Sequence, residues 1–175
     1  MAALHFLVNS VLSFAVYCFL FRVLLPLVRA DFRNPLSQAI LALTNWLVMP
    51  LRRILPPVGR VDSASIIALL AIQIGATLIA YRLAYDSVLP ALPLLVLALR
   101  MLLATFLLLY TVLIFIYALL SFVAPGARSP ATSLLASLCE PVLGPVRRLL
   151  PTVGGLDLSP LVAIVGLQAL RLLII

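Results

Sequence analysis

Two pairs of adjacent arginines, Arg52-Arg53 and Arg147-Arg148, are the residues in this chain best suited to chemistry, and they stand 95 positions apart in the same setting. Pro50 and Pro56 flank the first pair, Pro145 and Pro151 the second. Guanidinium groups bind phosphate and carboxylate bidentately, which suits these pairs to gripping lipid head groups or the acidic loop of a partner. Proline starts helices and breaks their interiors, so each pair of prolines leaves room for about one helical turn and fixes where the arginines sit. The plainer reading is positive charge that sets membrane topology, and that role needs no such defined geometry. Asp62 and Asp157 follow, preceded by Gly59 in one case and by Gly154 and Gly155 in the other. The glycines suit a sharp turn. Each aspartate can cap the helix that begins after it or pair with the arginines, and the two roles are compatible.

A second group is polar and lies inside apolar runs. Gln73 and Gln168 are again 95 residues apart. A polar side chain at that depth serves either adhesion between helices or a midplane substrate or ion site. Arg100 is either a functional intramembrane charge or a snorkelling one. Catalysis has little to draw on. There are five acidic residues, and His5 is the single histidine. No nucleophile elbow, phosphate-binding glycine loop or metal-ligand spacing is present, so no catalytic residue, metal or cofactor is expected. Cys18 and Cys139 have no paired spacing and read as apolar fillers.

The elements that position these residues belong to a membrane. Hydrophobic residues make up 65% of the chain and charged residues 10%, against about 45–50% and 25% in soluble domains. Four runs have the length expected of spanning helices: Leu4 to Leu25, Ser63 to Leu83, Pro93 to Val123, and Ser159 to Ile175. Between them, Leu36 to Met49 and Ala131 to Leu143 form short amphipathic helices suited to the interface or to a shallow re-entrant hairpin. Asn34-Pro35 and Ser129-Pro130 have the pattern of an N-cap followed by proline. Aligned without a gap, the stretch from Arg33 to Gln73 repeats from Arg128 to Gln168, a tandem duplication. The expected architecture is all-α, with four transmembrane helices in two same-orientation repeats, residues 1–88 and 89–175, each with an interfacial helix.

All twelve basic residues are arginine, and the formal charge is +7. Their concentration between spans one and two and between spans three and four predicts cytoplasmic connections with both termini outside. That charge suits anionic lipid head groups, and no nucleic-acid module is visible.

The repeated R-x-P, amphipathic stretch, P-x-R-R-x-L-P, V-G and D pattern resembles the YggT family, also called YlmG, over almost the whole chain. It departs where Gly59-Arg60 stands against Gly154-Gly155. The resemblance implies a bacterial cytoplasmic (inner) membrane, or a plastid membrane in photosynthetic relatives. It also implies links to cell division or membrane organisation, to assembly of a haem-bearing cytochrome complex, or to osmotic and ion homeostasis. The expected function is a non-enzymatic membrane assembly or organising factor. Its partners would be anionic lipids, another membrane protein and further copies of itself. The alternative is a small transporter or channel component that depends on Gln73, Gln168 and Arg100.

Overall fold

The computed structural model describes residues 2–55, 62–123, 126, 129–149 and 157–175. Gly59, Gly154, Gly155, Pro56 and Pro151 lie outside the described residues. The described chain is helical: α1 Ala2–Leu27, α2 Pro35–Arg52, α3 Ser63–Tyr85, α4 Ala91–Val123, α5 Pro130–Leu149 and α6 Ser159–Ile174.

Three of these helices, α1, α3 and α4, are long and apolar enough to cross a membrane. At 1.5 Å per residue, the 33 residues of α4 extend ~50 Å, well beyond a hydrocarbon core of about 30 Å. The fourth expected span is shorter than the other three. α6 has 16 residues and extends ~24 Å, so length alone does not carry it across an unperturbed bilayer.

The helix starts follow local chemistry. The Asn34 side chain accepts the Leu36 N–H ahead of Pro35 at the first turn of α2. At α5, the Ser129 hydroxyl accepts the Thr132 N–H while the Thr132 hydroxyl accepts the Ser129 N–H, a reciprocal cap. α3 ends at Asp86, which is left-handed at φ 49°, a conformation that aspartate tolerates better than most residues. Pro50 and Pro145 do not break their helices as expected. α2 runs through Pro50, and α5, whose expected extent includes Pro141, runs on through Pro145. A proline removes one N–H and bends the helix locally; packing on either side of it holds the remaining turns.

α1 packs along α3 and α4 along α6, α3 joins α4, and α2 and α5 lie against their neighbours and touch each other. The core gathers Val16, Phe19, Leu20, Leu24 and Leu25 from α1 with Leu109, Leu113 and Ile114 from α4. Ala64 and Ala68 are fully buried on α3, and their small side chains let α1 approach closely, the common device where lipid supplies no hydrophobic drive between helices.

The two amphipathic helices, α2 with 18 residues and α5 with 20, are longer than expected and turn different faces to this bundle. α5 buries Leu134, Leu135, Leu138, Cys139 and Leu143. α2 buries Ser37, Thr44 and Val48, and turns Leu36, Leu43, Trp46 and Met49 outward. Its inward face is therefore mixed, with Ser37 and Thr44 beside Val48 and with Ile40 and Leu47 packed against the core, while the rest of its apolar surface is left for lipid. Ala68→Leu should overpack the α1–α3 seam and cost about 1–3 kcal/mol, read as a lower unfolding midpoint in detergent; an unchanged midpoint would show that the seam is loose.

Candidate functional site

Two polar clusters form where the spanning helices meet α2 and α5. The first is organised by an arginine that sequence reasoning missed. Arg22 lies five residues from the end of α1 and is 2% exposed. Its Nε donates to Ser65 Oγ at 3.1 Å. Its Nη1 lies 2.8 Å from both Thr44 Oγ1 and Asn45 Oδ1 and 3.1 Å from the Leu41 carbonyl. All of these partners are neutral. The charge is balanced one step away, because the Ser65 hydroxyl donates to Asp62 Oδ2, which also accepts Arg52 Nη2. The result is a relay, Arg22 to Ser65 to Asp62 to Arg52, that ties α1, α2 and the start of α3 into one unit. The signal was present in the sequence: Arg22 is the one arginine of the first span, and Thr44 and Asn45 share the polar face of α2.

The second cluster uses the positions 95 residues on. Arg147 donates from Nε to Asp157 Oδ2 at 2.9 Å, from Nη1 to Glu140 Oε2 at 3.3 Å, and from Nη2 to the Tyr117 hydroxyl at 3.3 Å. Its guanidinium carbon also lies 5.7 Å from the centre of the Tyr117 ring, within cation–π range. Tyr117 stands at the position of Arg22, and Glu140 at that of Asn45. The first cluster thus has two arginines and one carboxylate, the second one arginine and two carboxylates.

The aspartates do more than one job. Asp157 Oδ1 accepts the Ser159 N–H at 2.9 Å, satisfying one of the free donors at the start of α6. Asp62 occupies the N-cap position of α3, yet its side chain makes no capping bond to the backbone. Burial pushes the Asp62 carboxyl up, but hydrogen bonds from Arg52 and Ser65 outweigh it and hold the group below its ordinary value. Burial acts in the same sense at Asp157, where bonds from Ser159 and Arg147 prevail.

The inner arginine of each pair is thereby engaged with an aspartate, while Arg53 and Arg148 are exposed and their side chains make no hydrogen bond to a described residue. Gln73 is buried in α3, where its Nε2 donates to Thr77 Oγ1 at 3.0 Å. Gln168 is half-buried in α6, and among the described residues no hydrogen bond joins the two glutamines. Arg100 grips the end of α6, donating to the Ile174 carbonyl at 3.0 and 2.6 Å and to the Ile175 carbonyl at 3.2 Å. A cation there satisfies the orphan carbonyls and complements the helix dipole. Burial pushes the Cys139 thiol up to about 12, which leaves almost no thiolate at neutral pH.

Nothing in this arrangement points to catalysis. The buried carboxylate is held ionised against arginine, and no group of three potential metal ligands occurs among the described residues. The fold and its polar clusters define a helical membrane protein. The CCB3/YggT family model matches residues 1–83 and again 96–175, and the chain belongs to that family. An uncharacterised protein of Pseudomonas aeruginosa is 40% identical over 157 residues, covering 89% of this chain and 80% of the relative. The Escherichia coli protein YggT, also uncharacterised, is 33% identical over 173 residues, covering 98% and 89%. An uncharacterised protein of Vibrio alginolyticus is 37% identical over 169 residues, covering 96% and 91%. No solved structure matches the chain.

Two outcomes follow from the clusters. Arg22→Met strands the acceptors on α2 and α3 and should cost about 3 kcal/mol. Tyr117→Phe removes one acceptor from Arg147 and should cost under ~1 kcal/mol. Equal losses in detergent unfolding would refute this ranking. For pH, Asp62 is ionised in both folded and unfolded chains above its unfolded value of about 3.9, and the stabilisation is then fully present. As pH falls below that value the unfolded chain takes up the proton first, and the contribution is lost through the lower folded value. Asp62→Asn should be less stable at pH 7 and flatter in its acid dependence; parallel curves for the two proteins would show that the Arg52 contact contributes nothing.

Proposed function

We propose that this protein is a non-enzymatic membrane assembly or organising factor that engages anionic lipid and a membrane partner through its two arginine pairs. In this reading the chain crosses a bacterial inner membrane four times as two same-orientation repeats. The ends of α2 and α5 lie on the cytoplasmic side, and α6 crosses where the bilayer is locally thinned.

One observation carries the proposal: in each pair the inner arginine is bound to an aspartate, and the outer one, Arg53 or Arg148, is exposed at or just beyond the end of its helix. The inner bond fixes the backbone, and the outer guanidinium is left available for a phosphate or carboxylate. Topology needs only charge, whereas recognition needs charge at a fixed place. Near an anionic surface each such residue contributes about 1 kcal/mol. The outward apolar face of α2, with Trp46 67% exposed, suits the same interface.

Arg53→Gln with Arg148→Gln leaves both ion pairs intact, so the variant should insert normally. It should lose the stoichiometric partner recovered from native membranes in mild detergent, and it should carry less co-purified anionic lipid. Unchanged recovery of both would remove the basis for this reading.

A further inference from the structure

At the opposite end of the bundle from the arginine clusters, α1, α3 and the N-terminal part of α4 surround an open cleft of about 650 Å³. That size lies within the range of about 300–1,000 Å³ typical of small-molecule sites. Two ladders of polar side chains line it: Asn9, Ser13 and Tyr17 on α1, and Gln73, Thr77 and Tyr81 on α3. A spacing of four residues keeps each ladder on one face of its helix. No arginine or carboxylate is among the lining residues.

Gln73 is 6% exposed, and its Oε1 has no hydrogen-bond partner. Its Nε2 donates to Thr77 Oγ1, and that hydroxyl donates back to the Gln73 carbonyl at 2.9 Å. Turning the amide over leaves the nitrogen unpartnered instead. An unpaired amide atom in an apolar setting is a standing cost that a molecule in the cleft can relieve. Helix packing does not require this polarity. The positions 95 residues beyond Asn9, Ser13, Tyr17 and Thr77 are Ala104, Leu108, Val112 and Leu172, and Gln73 alone of these five keeps its polarity there, as Gln168, so the second half builds its helices with apolar residues at the other four.

We propose that this cleft binds an uncharged, hydroxyl-bearing membrane amphiphile. Its apolar body lies along Leu12, Val16 and Ala76. Its head accepts from the hydroxyls of Ser13 and Tyr81 and engages the Gln73 amide, whose oxygen is itself covered and must turn toward the cleft to accept. A charged head is disfavoured because no opposite charge lines the cleft. The inference is independent of the arginine pairs.

The test uses the full chain in phosphatidylcholine nanodiscs with a diazirine-tagged diacylglycerol, and the same acyl chains on phosphatidic acid as the charged comparison. The neutral probe should label α1 and α3 peptides at the cleft, and Gln73→Leu with Thr77→Val should lower that labelling about fivefold or more. Should that variant fail to assemble, Asn9→Leu with Ser13→Ala on the exposed side of α1 reads the same site. Competition by an unlabelled isoprenoid alcohol or a quinol tells apart the sources of such a head group. Equal labelling by the neutral and charged probes, or labelling indifferent to both variants, would overturn the proposal. So would a dimer in the nanodisc that shields the cleft and is lost in either variant, since the ladders would then form a seam with a second copy.

Discussion

A cation buried inside a spanning helix constrains everything packed around it. An ammonium or guanidinium taken out of water loses several kcal/mol of hydration, and lipid returns none of it. Arg22 must therefore be surrounded by acceptors, and one helix cannot supply them. Three come from α2, namely Thr44, Asn45 and the Leu41 carbonyl, and one from α3, Ser65. This accounts for the way α2 lies. An amphipathic helix beside a bundle ordinarily turns its apolar side inward, yet α2 buries Ser37 and Thr44 alongside Val48, Ile40 and Leu47 and leaves Leu36 and Leu43 outside. The acceptors are needed within reach of Arg22, and the displaced apolar side finds lipid instead of water.

The second half meets the same geometry with the charges redistributed. Replacing the buried cation by Tyr117 removes the demand for a ring of acceptors, and α5 accordingly buries leucines. Arg147 then becomes the hub, drawing Glu140, Asp157 and Tyr117 together from α5, the start of α6 and α4. Each cluster joins one long helix, one short helix and the start of the next, so the relation between an arginine and an aspartate ten positions later persists while its surroundings change. The carboxylates of the second cluster are wetter, with side-chain exposure of 36% at Asp157 against 8% at Asp62, although Arg52 at 43% is more exposed than Arg147 at 34%. Screening by water discounts the Arg147–Glu140 pair most, since Glu140 is 67% exposed.

Helix existence was legible because it rests on short-range features. Apolar run length marked α1, α3 and α4, and Asn34-Pro35 and Ser129-Pro130 marked where α2 and α5 begin. Helix ends were less legible, since whether Pro50 and Pro145 stop a helix depends on packing that no local pattern encodes. The same is true of the site. Spacing singled out Arg52, Asp62, Arg147 and Asp157, but which arginine of each pair turns inward is decided by tertiary contact. Arg22 escaped notice because a lone arginine near the end of an apolar run reads as snorkelling. Its burial follows only once Thr44, Asn45 and Ser65 are known to converge on it. Arg100 shows the converse, since its partners are backbone carbonyls of α6 that no side-chain pattern announces.

These constraints divide the molecule by level. At the end where α1 stops and α3 starts, hydrogen bonds cross three helices, although Asp62 Oδ1 and Ser37 Oγ are left without a partner among the described residues, and any movement of α2 against α1 breaks several charge-assisted bonds together. At the other end, α1, α3 and α4 part around a cleft whose polar lining is incompletely satisfied at Gln73. A bundle clamped at one end and parted at the other can admit a guest without disturbing its clamp. The amide and hydroxyl ladders lie only in the half that also holds Arg22. If the two halves arose by duplication, they have specialised: the first holds a buried cation at one end and a polar cleft at the other, while the second has Tyr117 in place of that cation and gathers its charges in a half-exposed cluster.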